Sequence, residues 1–573
     1  MKHQVQPEKR EMKVMKEEKS VMPEKILAWQ LFGAGFENFG RDNEPSVLPM
    51  PEIADDELLV KIEAIGLCFS DVKLIRAGES HPRVISKNLK EDPVIPGHEA
   101  VMSIVKVGSK IQDKFKIGQR YIIQADVYVN GVGFAYGYAL NGGMAQYSVI
   151  NQKVLNGDEG CYLLPIADSM PSAVAALLEP WTCVLASYTI KHRVKPADRS
   201  DMLFVFGSHA SGYELGKLLA EATPASVTLV KAPAGFAAEI AKAYPDTEVK
   251  VASALPADGK YDDIFLCGCE RAEGEAAAKA GKIGACINFI GDYSRENWMF
   301  DVGSIHYQGW FYQGTTGTDL SAAYGRNVRS SVRKGGTCWL PGGAGAMGQM
   351  HTQLAVDSED GPARILVTDM DKTRIAHVKE QLGPIAEKRG IEFKLMNPAD
   401  FASPQEFDDA VTAFAPEGFD DIIMLVPVPA LVSGSAKHLG KDGLMNIFAG
   451  IPAGKEAELP TAGIAANGFR FIGSSGSRTE DLRHPSRLVE AGTLNPVSAL
   501  AAIGGMKVLK EGLEAVANAK FPGKTVIFPN CPDMPLTAVD KMPMLVPGLE
   551  KTFAADGTYT TATEAELLRK FEK

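Results

Sequence analysis

The sequence predicts an α/β protein in which a β-rich domain is followed by two tandem domains of the doubly wound, parallel-sheet type. Over residues 26–170, short apolar–polar alternations such as "LLVKIEAIG" and "AVMSIVKVG" are broken by Gly and Pro, which is typical of antiparallel strands. From about residue 200 onward, β-branched runs alternate with longer Ala- and Leu-rich segments, as expected of βαβ units. At 573 residues the chain has room for several such domains.

The parallel-sheet region contains an internal repeat. "YDDIFLCG" from residue 261 returns as "FDDIIMLV" from 419, and "INFIGDY" from 287 returns as "MNIFAGIP" from 445. The spacing is nearly constant, because 158 residues separate Asn288 from Asn446 and 159 separate Gly314 from Gly473. Two tandem copies of one α/β domain explain this regularity.

Charge and cysteine content restrict the partners and the compartment. The chain has 60 basic and 71 acidic residues, giving a net charge of −11, so neither nucleic acid nor a membrane surface is the expected partner. Its 8 cysteines follow no pairing rhythm, which favours reduced thiols and a cytoplasmic location. Cys267 and Cys269 lie in the apolar run "DIFLCGC", and we interpret them as buried strand residues. The charged start of the chain resembles neither a secretion signal nor an anchor.

The glycine turn of the second copy predicts a dinucleotide site. Gly343, Gly345 and Gly348 have GxGxxG spacing, and Asp369 ends the next strand 21 residues later, where a carboxylate binds the ribose hydroxyls. The same carboxylate would repel a 2′-phosphate, so NAD(H) is predicted over NADP(H). The predicted cofactor residues are Gly343, Gly345, Ala346, Met347, Gly348, Asp369 and Arg374.

The first copy has a weaker turn. "VFGSHASG", residues 205–212, is predicted to end a strand and begin a helix, but His209 stands where the middle glycine belongs. The following strand ends in Lys231 rather than in an acid. We therefore expect a degenerate copy that serves as a scaffold or docking domain. A second, NADP-like or regulatory nucleotide site that uses Lys231 is the alternative.

Four side chains of the β-rich region suit a zinc ion. Cys68, His98, Glu99 and Glu179 supply a thiolate, an imidazole and two carboxylates. Each also has a simpler interpretation, as a buried cysteine, a hydrogen-bonded loop histidine or a surface glutamate. Spacing alone leaves the two interpretations open.

Longer segments in the same order resemble the zinc-containing medium-chain dehydrogenase/reductase family, particularly its sorbitol and threonine dehydrogenase-like branch. They are "DELLVKIEAIGLCFSD", "GHEAVMSIVKVGSKI", "NGGMAQYSVI" and "GLEAVANAKFPGKTVIF", and the resemblance covers residues 26–190 and 331–530. It implies a GroES-like catalytic domain joined to a Rossmann domain. The predicted segments are a charged tail (1–25), the GroES-like zinc domain (26–190), a first Rossmann copy (195–330), a second, NAD-binding copy (331–480), a return segment that completes the catalytic domain (481–530) and a C-terminal extension (531–573).

The resemblance also implies roles for the metal residues. Cys68 and His98 would be zinc ligands, and Glu99 would be a ligand that binds or releases as water exchanges. Glu179 matches a glutamate that the sorbitol-type branch uses beside the metal, directly or through water. Asp71 would orient His98. Because "YIIQADVYVNGVGFAYGYALNGGM" contains no cysteine, we expect one catalytic zinc per chain and no structural zinc.

Ser70 matches the Ser or Thr that takes the proton of the substrate hydroxyl. Lys73 stands where the family often has the histidine that passes this proton outward, which puts that exit in question. The resemblance implies that the second copy docks on the zinc cleft and that the first copy is an insertion, although the sequence also permits the reverse.

The predicted function is hydride transfer between NAD(H) and a secondary alcohol or its ketone, such as a polyol, a sugar alcohol or a sugar phosphate. His81, Arg83 and Lys87 either meet the polyol or its phosphate or form a solvated loop. A homodimer or homotetramer is expected. The alternatives are a non-catalytic nucleotide-sensing or assembly protein and a zinc-free quinone reductase-like enzyme.

Overall fold

The computed structural model describes residues 22–208, 210–293, 297–326, 328–554 and 557–573. Its strands form one eight-stranded and two six-stranded sheets, with short two-stranded sheets beside them. The predicted α/β fold class is confirmed. Within the described residues no helix is both long and apolar enough to cross a membrane.

The β-rich domain is built around a mainly antiparallel sheet. Its elements are β1 (Lys25–Ala28), β2 (Ser46–Pro49), β3 (Leu58–Leu67), α1 (Phe69–Ala77), β4 (Glu99–Val107), β5 (Arg120–Ile123), β6 (Tyr128–Val129), β7 (Val132–Gly133), β8 (Tyr147–Ile150), α2 (Gln152–Leu155), β9 (Leu163–Pro165), α3 (Ser172–Ala176) and α4 (Leu178–Ala186). The apolar residues of β3 and β4 face a buried core that includes Val60, Ile62 and Met102.

The first parallel-sheet copy follows. Its elements are β10 (Asp201–Phe206), α5 (Gly216–Ala220), β11 (Ser226–Val230), α6 (Phe236–Ala243), β12 (Glu248–Ala252), β13 (Tyr261–Cys267), α7 (Arg271–Ala278), β14 (Gly281–Ile290), β15 (Trp298–Asp301), α8 (Val302–Gln308) and β16 (Phe311–Thr315). The sheet order is β12-β11-β10-β13-β14-β16. Cys267 and Cys269 are buried here, as the apolar run indicates.

The second copy repeats this arrangement. Its elements are β17 (Thr337–Pro341), α9 (Ala346–Asp357), β18 (Arg364–Thr368), α10 (Lys372–Lys388), β19 (Glu392–Met396), α11 (Pro404–Phe414), β20 (Phe419–Met424), α12 (Pro429–Ala436), β21 (Leu439–Ile447), β22 (Glu456–Leu459), α13 (Thr461–Ala466) and β23 (Arg470–Ile472). The order β19-β18-β17-β20-β21-β23 matches that of the first copy strand for strand. This is the doubly wound order in which ligands bind beyond the carboxyl ends of the strands.

The two copies face each other edge to edge. The last strands of the two sheets, β16 and β23, lie side by side, and β15 pairs antiparallel with β22. Helix α8 packs on β21 and β23 of the second copy, and α13 packs on β14 and β16 of the first. One apolar core extends across both copies.

The end of the chain returns to the β-rich domain. Its elements are α14 (Thr479–Glu490), β24 (Leu500–Gly505), α15 (Leu509–Ala517), β25 (Lys524–Phe528), β26 (Thr537–Ala538) and α16 (Thr561–Phe571). Strand β25 pairs antiparallel with β3 and so extends the eight-stranded sheet. On α16, the Glu564 carboxylate accepts hydrogen bonds from the backbone amides of Ser172 (2.6 Å) and Ala173 (2.9 Å), which satisfies donors at the start of α3. The C-terminal extension is thereby part of the folded domain.

Candidate active site and cofactor site

The metal-type residues meet where β3 ends and β4 begins. Cys68 follows β3 and is the residue before α1, while His98 and Glu99 stand at the start of β4. The two strands are antiparallel, with Gly66 opposite Glu99, so these positions become neighbours. One ligand atom each from Cys68, His98 and Glu99 lies within 4.8 Å of the others. His98 and Glu99 are buried, and Cys68 is partly exposed.

Asp71 fixes the orientation of this cluster. It is fully buried on α1, and its Oδ1 lies 3.1 Å from Nδ1 of His98. Its Oδ2 accepts a hydrogen bond from the backbone amide of Cys68 at 3.0 Å. With Nδ1–H donating to the carboxylate, Nε2 of His98 is the nitrogen left to bind a metal. Ser70 lies beside the cluster, with Oγ 3.5 Å from Sγ of Cys68.

Lys524, which the sequence analysis missed, pairs with Glu99. Its Nζ lies 2.6 Å from Glu99 Oε1, and both side chains are almost completely buried. Glu99 and the neighbouring Cys68 keep the pKa of Lys524 above its usual value even though burial acts to lower it. The other carboxylate oxygen, Oε2 of Glu99, is buried without a hydrogen-bond partner among the described residues. The sequence signal that could have identified Lys524 is its position as a charged residue inside the apolar run "FPGKTVIF".

Glu179 borders the cluster from the first turn of α4 but is not one of the three residues with closely spaced ligand atoms. Burial raises the pKa of Glu179 to about 7, with His98 and Lys524 opposing this shift and Glu99 adding to it. Sγ of Cys183 lies 3.9 Å from Oε1 of Glu179, so this cysteine, also missed from sequence, belongs to the same surroundings.

The donor set fits a zinc ion. A thiolate, an imidazole and a carboxylate are the ligand types that zinc prefers, and an open position beside three protein ligands is typical of catalytic sites. The unpartnered Oε2 of Glu99 is a buried oxygen that a cation would satisfy. The structure thus brings three of the four predicted metal residues together and leaves Glu179 at their border.

A basic edge lies next to the cluster around Tyr138, whose ring centroid is 5.7 Å from that of His98. His81 stacks on the same ring at 5.1 Å, and the Arg83 guanidinium lies 5.6 Å from it while pairing with Asp126 at 2.7 Å. Lys87 is exposed. Burial and the charges of Arg83 and Lys73 lower the pKa of His81.

The glycine turn of the second copy has the form of a nucleotide cradle. Helix α9 begins at Ala346, directly after Gly345, and continues through Met347. A Cβ at Gly343 would come 2.8 Å from Cβ of Leu340, and one at Gly348 would collide with the carbonyl oxygen of Gly342. A Cβ at Gly345, in contrast, would have only ordinary contacts, so this is the open side of the turn.

Asp369 and Arg374 flank this turn. Asp369 follows β18 directly, and its Oδ1 accepts a hydrogen bond from the backbone amide of Asp371 at 3.0 Å. Nη1 of Arg374 lies 3.9 Å from the position that a Cβ on Gly345 would take. Nε of Arg374 is buried without a hydrogen-bond partner among the described residues. The cradle therefore offers a helix N-terminus, a carboxylate and a guanidinium to a dinucleotide.

The turn of the first copy is built differently. β10 ends at Phe206, but α5 begins only at Gly216 and has 5 residues, whereas α9 has 12. The prediction that a helix begins within "VFGSHASG" is therefore wrong, because the first helix after β10 among the described residues begins at Gly216. His209 lies outside the described residues. Lys231 forms an ion pair with Glu273 at 3.1 Å within its own copy.

The second copy contacts the β-rich domain through two side-chain hydrogen bonds. Nε2 of Gln124 donates a hydrogen bond to Oγ of Ser477 at 2.8 Å, in the loop that follows β23. The hydroxyl of Tyr188, just after α4, lies 2.7 Å from Nδ1 of His351 on α9. These contacts join the domain that contains the cofactor cradle to the domain that contains the metal-type cluster.

Comparisons with known proteins agree with this geometry. Residues 54–156 match the family model of the alcohol dehydrogenase GroES-like domain. The chain is 25% identical over 511 residues to mannitol-1-phosphate 5-dehydrogenase of Aliivibrio fischeri, covering 88% of each protein. These similarities support the predicted resemblance to the zinc-containing medium-chain dehydrogenase/reductase family.

Two further similarities extend over most of the chain. L-sorbose 1-phosphate reductase of Klebsiella pneumoniae is 22% identical over 502 residues, with 86% of this chain and 88% of the reductase covered. The crystal structure of 2R,3R-butanediol dehydrogenase from Bacillus subtilis is 12% identical, with a TM-score of 0.50 over 88% of this chain and 100% of that one, and shows the same fold. The predicted resemblance is confirmed.

Proposed function

We propose that the protein is a zinc-dependent oxidoreductase that transfers a hydride between NAD(H) and a secondary hydroxyl of a polyol, a sugar alcohol or a sugar phosphate. The observation that carries this is the Cys68, His98 and Glu99 cluster in the same unit as the glycine cradle of the second copy. Relatives named for mannitol 1-phosphate and L-sorbose 1-phosphate support a phosphorylated sugar as the substrate class.

Cys68, His98 and Glu99 would hold the zinc ion, with Glu179 beside it. When bound, zinc supplies a Lewis acid that lowers the pKa of an alcohol. Asp71 holds His98 in the orientation in which Nε2 is the ligand. Lys524 keeps one oxygen of Glu99 occupied, so the other is the one available for the metal. One zinc per chain and no structural zinc remain our expectation.

Ser70 would accept the hydroxyl proton of the substrate, since its Oγ lies beside Cys68 on the first turn of α1. When bound, NAD⁺ would supply the acceptor for the hydride of the substrate carbon, so that the alcohol would become a ketone. The proton then passes to water, because the ammonium of Lys73, one turn further along α1, has donors and no acceptor.

Asp369 would select NAD(H). A carboxylate at the end of β18 accepts hydrogen bonds from ribose hydroxyls and repels a 2′-phosphate. Arg374, whose Nη1 lies near Gly345, would bind the pyrophosphate. A cytoplasmic location and a homodimer or homotetramer remain predictions.

Metal analysis of the purified protein, combined with NADH formation on a panel of polyols and polyol phosphates, tests this proposal. We expect about one zinc per chain and NAD⁺-linked turnover on at least one member of the panel. Protein that binds no zinc, or that binds zinc but oxidises no member of the panel and reduces none of the matching ketones, would overturn it.

A further inference from the structure

The contact between the two Rossmann copies has the symmetry of a dimer interface. Strand β15 pairs with β22 so that Trp298 is opposite Leu459 and Asp301 is opposite Glu456. The repeat spacing of 158 makes Trp298 equivalent to Glu456 and Asp301 equivalent to Leu459. The first position of each strand therefore pairs with the last position of the other strand. The same two positions thus meet twice, which defines an isologous contact about a two-fold axis. The first copy takes the place that a second subunit's domain would have.

The first copy comes near the β-rich domain through α8. His306 on this helix is buried, and its Nδ1 lies 3.1 Å from the carbonyl oxygen of Ile447, the last residue of β21. Burial, with a smaller effect of the Lys73 charge, lowers the pKa of His306 to about 4, so the ring is neutral and Nδ1–H donates to that carbonyl. Its ring contacts that of Tyr307 edge-on at 4.6 Å between centroids. His306 is therefore a positioning residue for Tyr307.

Tyr307 and Lys73 meet beside Gly450, in the loop between β21 and β22. The Tyr307 hydroxyl lies 2.9 Å, and Nζ of Lys73 lies 3.8 Å, from the position that a Cβ on Gly450 would take. The tyrosine is 46% exposed. Lys73 is exposed too, and no carboxylate lies within ion-pair distance of it in the part of the chain that the structure describes. A hydroxyl donor and an unneutralised ammonium therefore lie on the same side of Gly450.

The equivalent helix of the second copy lacks these side chains. In "SIHYQG" (304–309) and "GIAANG" (463–468), His306 and Tyr307 are matched by Ala465 and Ala466. The β-rich domain packs on the second copy, and α8 of the first copy is the helix that comes near Lys73 of that domain. The polar pair is thus present only on the helix that faces a catalytic domain.

We propose that the first copy is a built-in partner subunit that completes the substrate site, and that Tyr307 with Lys73 binds the phosphate of a sugar-phosphate substrate. This inference rests on the proposed function. A phosphate dianion accepts hydrogen bonds from both groups and gains the charge of the ammonium. An unphosphorylated polyol has no group that uses this charge.

The test compares kcat/KM for a polyol phosphate with kcat/KM for the same polyol without phosphate. For Lys73→Met we expect the ratio of the two constants to fall about tenfold or more, because a charge-assisted contact is lost. For Tyr307→Phe, which removes only a hydroxyl, we expect a fall of about threefold to tenfold, mainly through KM. The inhibition constant of inorganic phosphate against the phosphorylated substrate should rise in both variants. The control is Lys217→Met, an exposed lysine on α5 of the first copy, which should leave the ratio unchanged.

NADH binding, followed by its fluorescence, checks that the variants keep the cofactor site. If both variants bind NADH but leave the ratio and the phosphate inhibition constant as in the wild type, the inference is wrong while the proposed function stands. If kcat/KM falls by the same factor for the polyol phosphate and for the polyol, the inference is also wrong, because the two residues then make no contribution specific to the phosphate. A wild type that turns over no substrate of either kind overturns the proposed function itself.

Discussion

Replacing Lys524 with Met removes the cation that neutralises Glu99. The Nζ–Oε1 distance is 2.6 Å, and the side chains are 4% and 0% exposed, so solvent cannot take over this role. Breaking a buried ion pair from one side costs about 3–5 kcal/mol, because it leaves an uncompensated charge. In zinc-free protein we expect the free energy of opening of β3 and β4 to fall by about that amount. In zinc-saturated protein the loss should be smaller, since the metal at Oε2 provides another counter-charge.

Native-state hydrogen exchange, read on peptides from β3 and β4, measures this free energy directly. The matched control is Lys110→Met, whose partner Asp55 is 3.6 Å away and whose side chain is 71% exposed. Such a surface pair contributes at most about 1 kcal/mol. The reasoning is refuted if Lys524→Met costs no more than Lys110→Met in zinc-free protein, or if the cost is the same with and without zinc.

The fold class and the repeat could be predicted because they rest on local periodicity. The alternation in "LLVKIEAIG" predicts a strand whichever strand is its neighbour in the sheet, and this segment forms β3. The glycine spacing at 343–348 likewise predicts a turn without reference to any other segment. Cys68, His98 and Glu99 could be grouped by their ligand types and by the family resemblance of the segments that contain them, and the pairing of β3 with β4 brings them together in the fold. For the strand and the turn, the signal comes from the same short segment that forms the structure.

Other features depend on contacts between distant segments. Lys524 reaches Glu99 across 425 residues, because β25 returns to pair with β3, and no local pattern announces that partner. Tyr307 acquires its position only from the packing of one Rossmann copy on the other. The helix expected within "VFGSHASG" starts later, at Gly216, although the glycines there resemble those of the second copy. The glycine pattern sets a turn but does not set where the next helix begins.

Three further predictions follow from the structure. Asp369→Ala should weaken NAD⁺ binding about tenfold and narrow the preference over NADP⁺, as measured by fluorescence titration, because ribose hydrogen bonds and 2′-phosphate repulsion are lost together; unchanged affinities would place the cofactor elsewhere. Lys231→Ala should leave NAD⁺ affinity as in the wild type, and a loss would point to a site in the first copy. Burial lowers the pKa of His351 to about 3, so protonation of this histidine favours the unfolded chain once the pH falls below about 6.5. Between pH 6.5 and 4, the free energy of unfolding measured in urea should therefore fall by up to about 3 kcal/mol less in His351→Gln than in the wild type. Parallel pH profiles for the variant and the wild type would contradict this.

The most direct test of the zinc-dependent, NAD-linked function is NADH formation by Cys68→Ser on a substrate of the wild type, with zinc content and NAD⁺ affinity measured on the same samples. We predict that the variant loses zinc and that kcat/KM falls by more than about a hundredfold, while NAD⁺ affinity stays within about twofold of the wild type. A Cys68→Ser variant that keeps wild-type turnover would contradict the account, because the cluster at the end of β3 would then not be the catalytic centre.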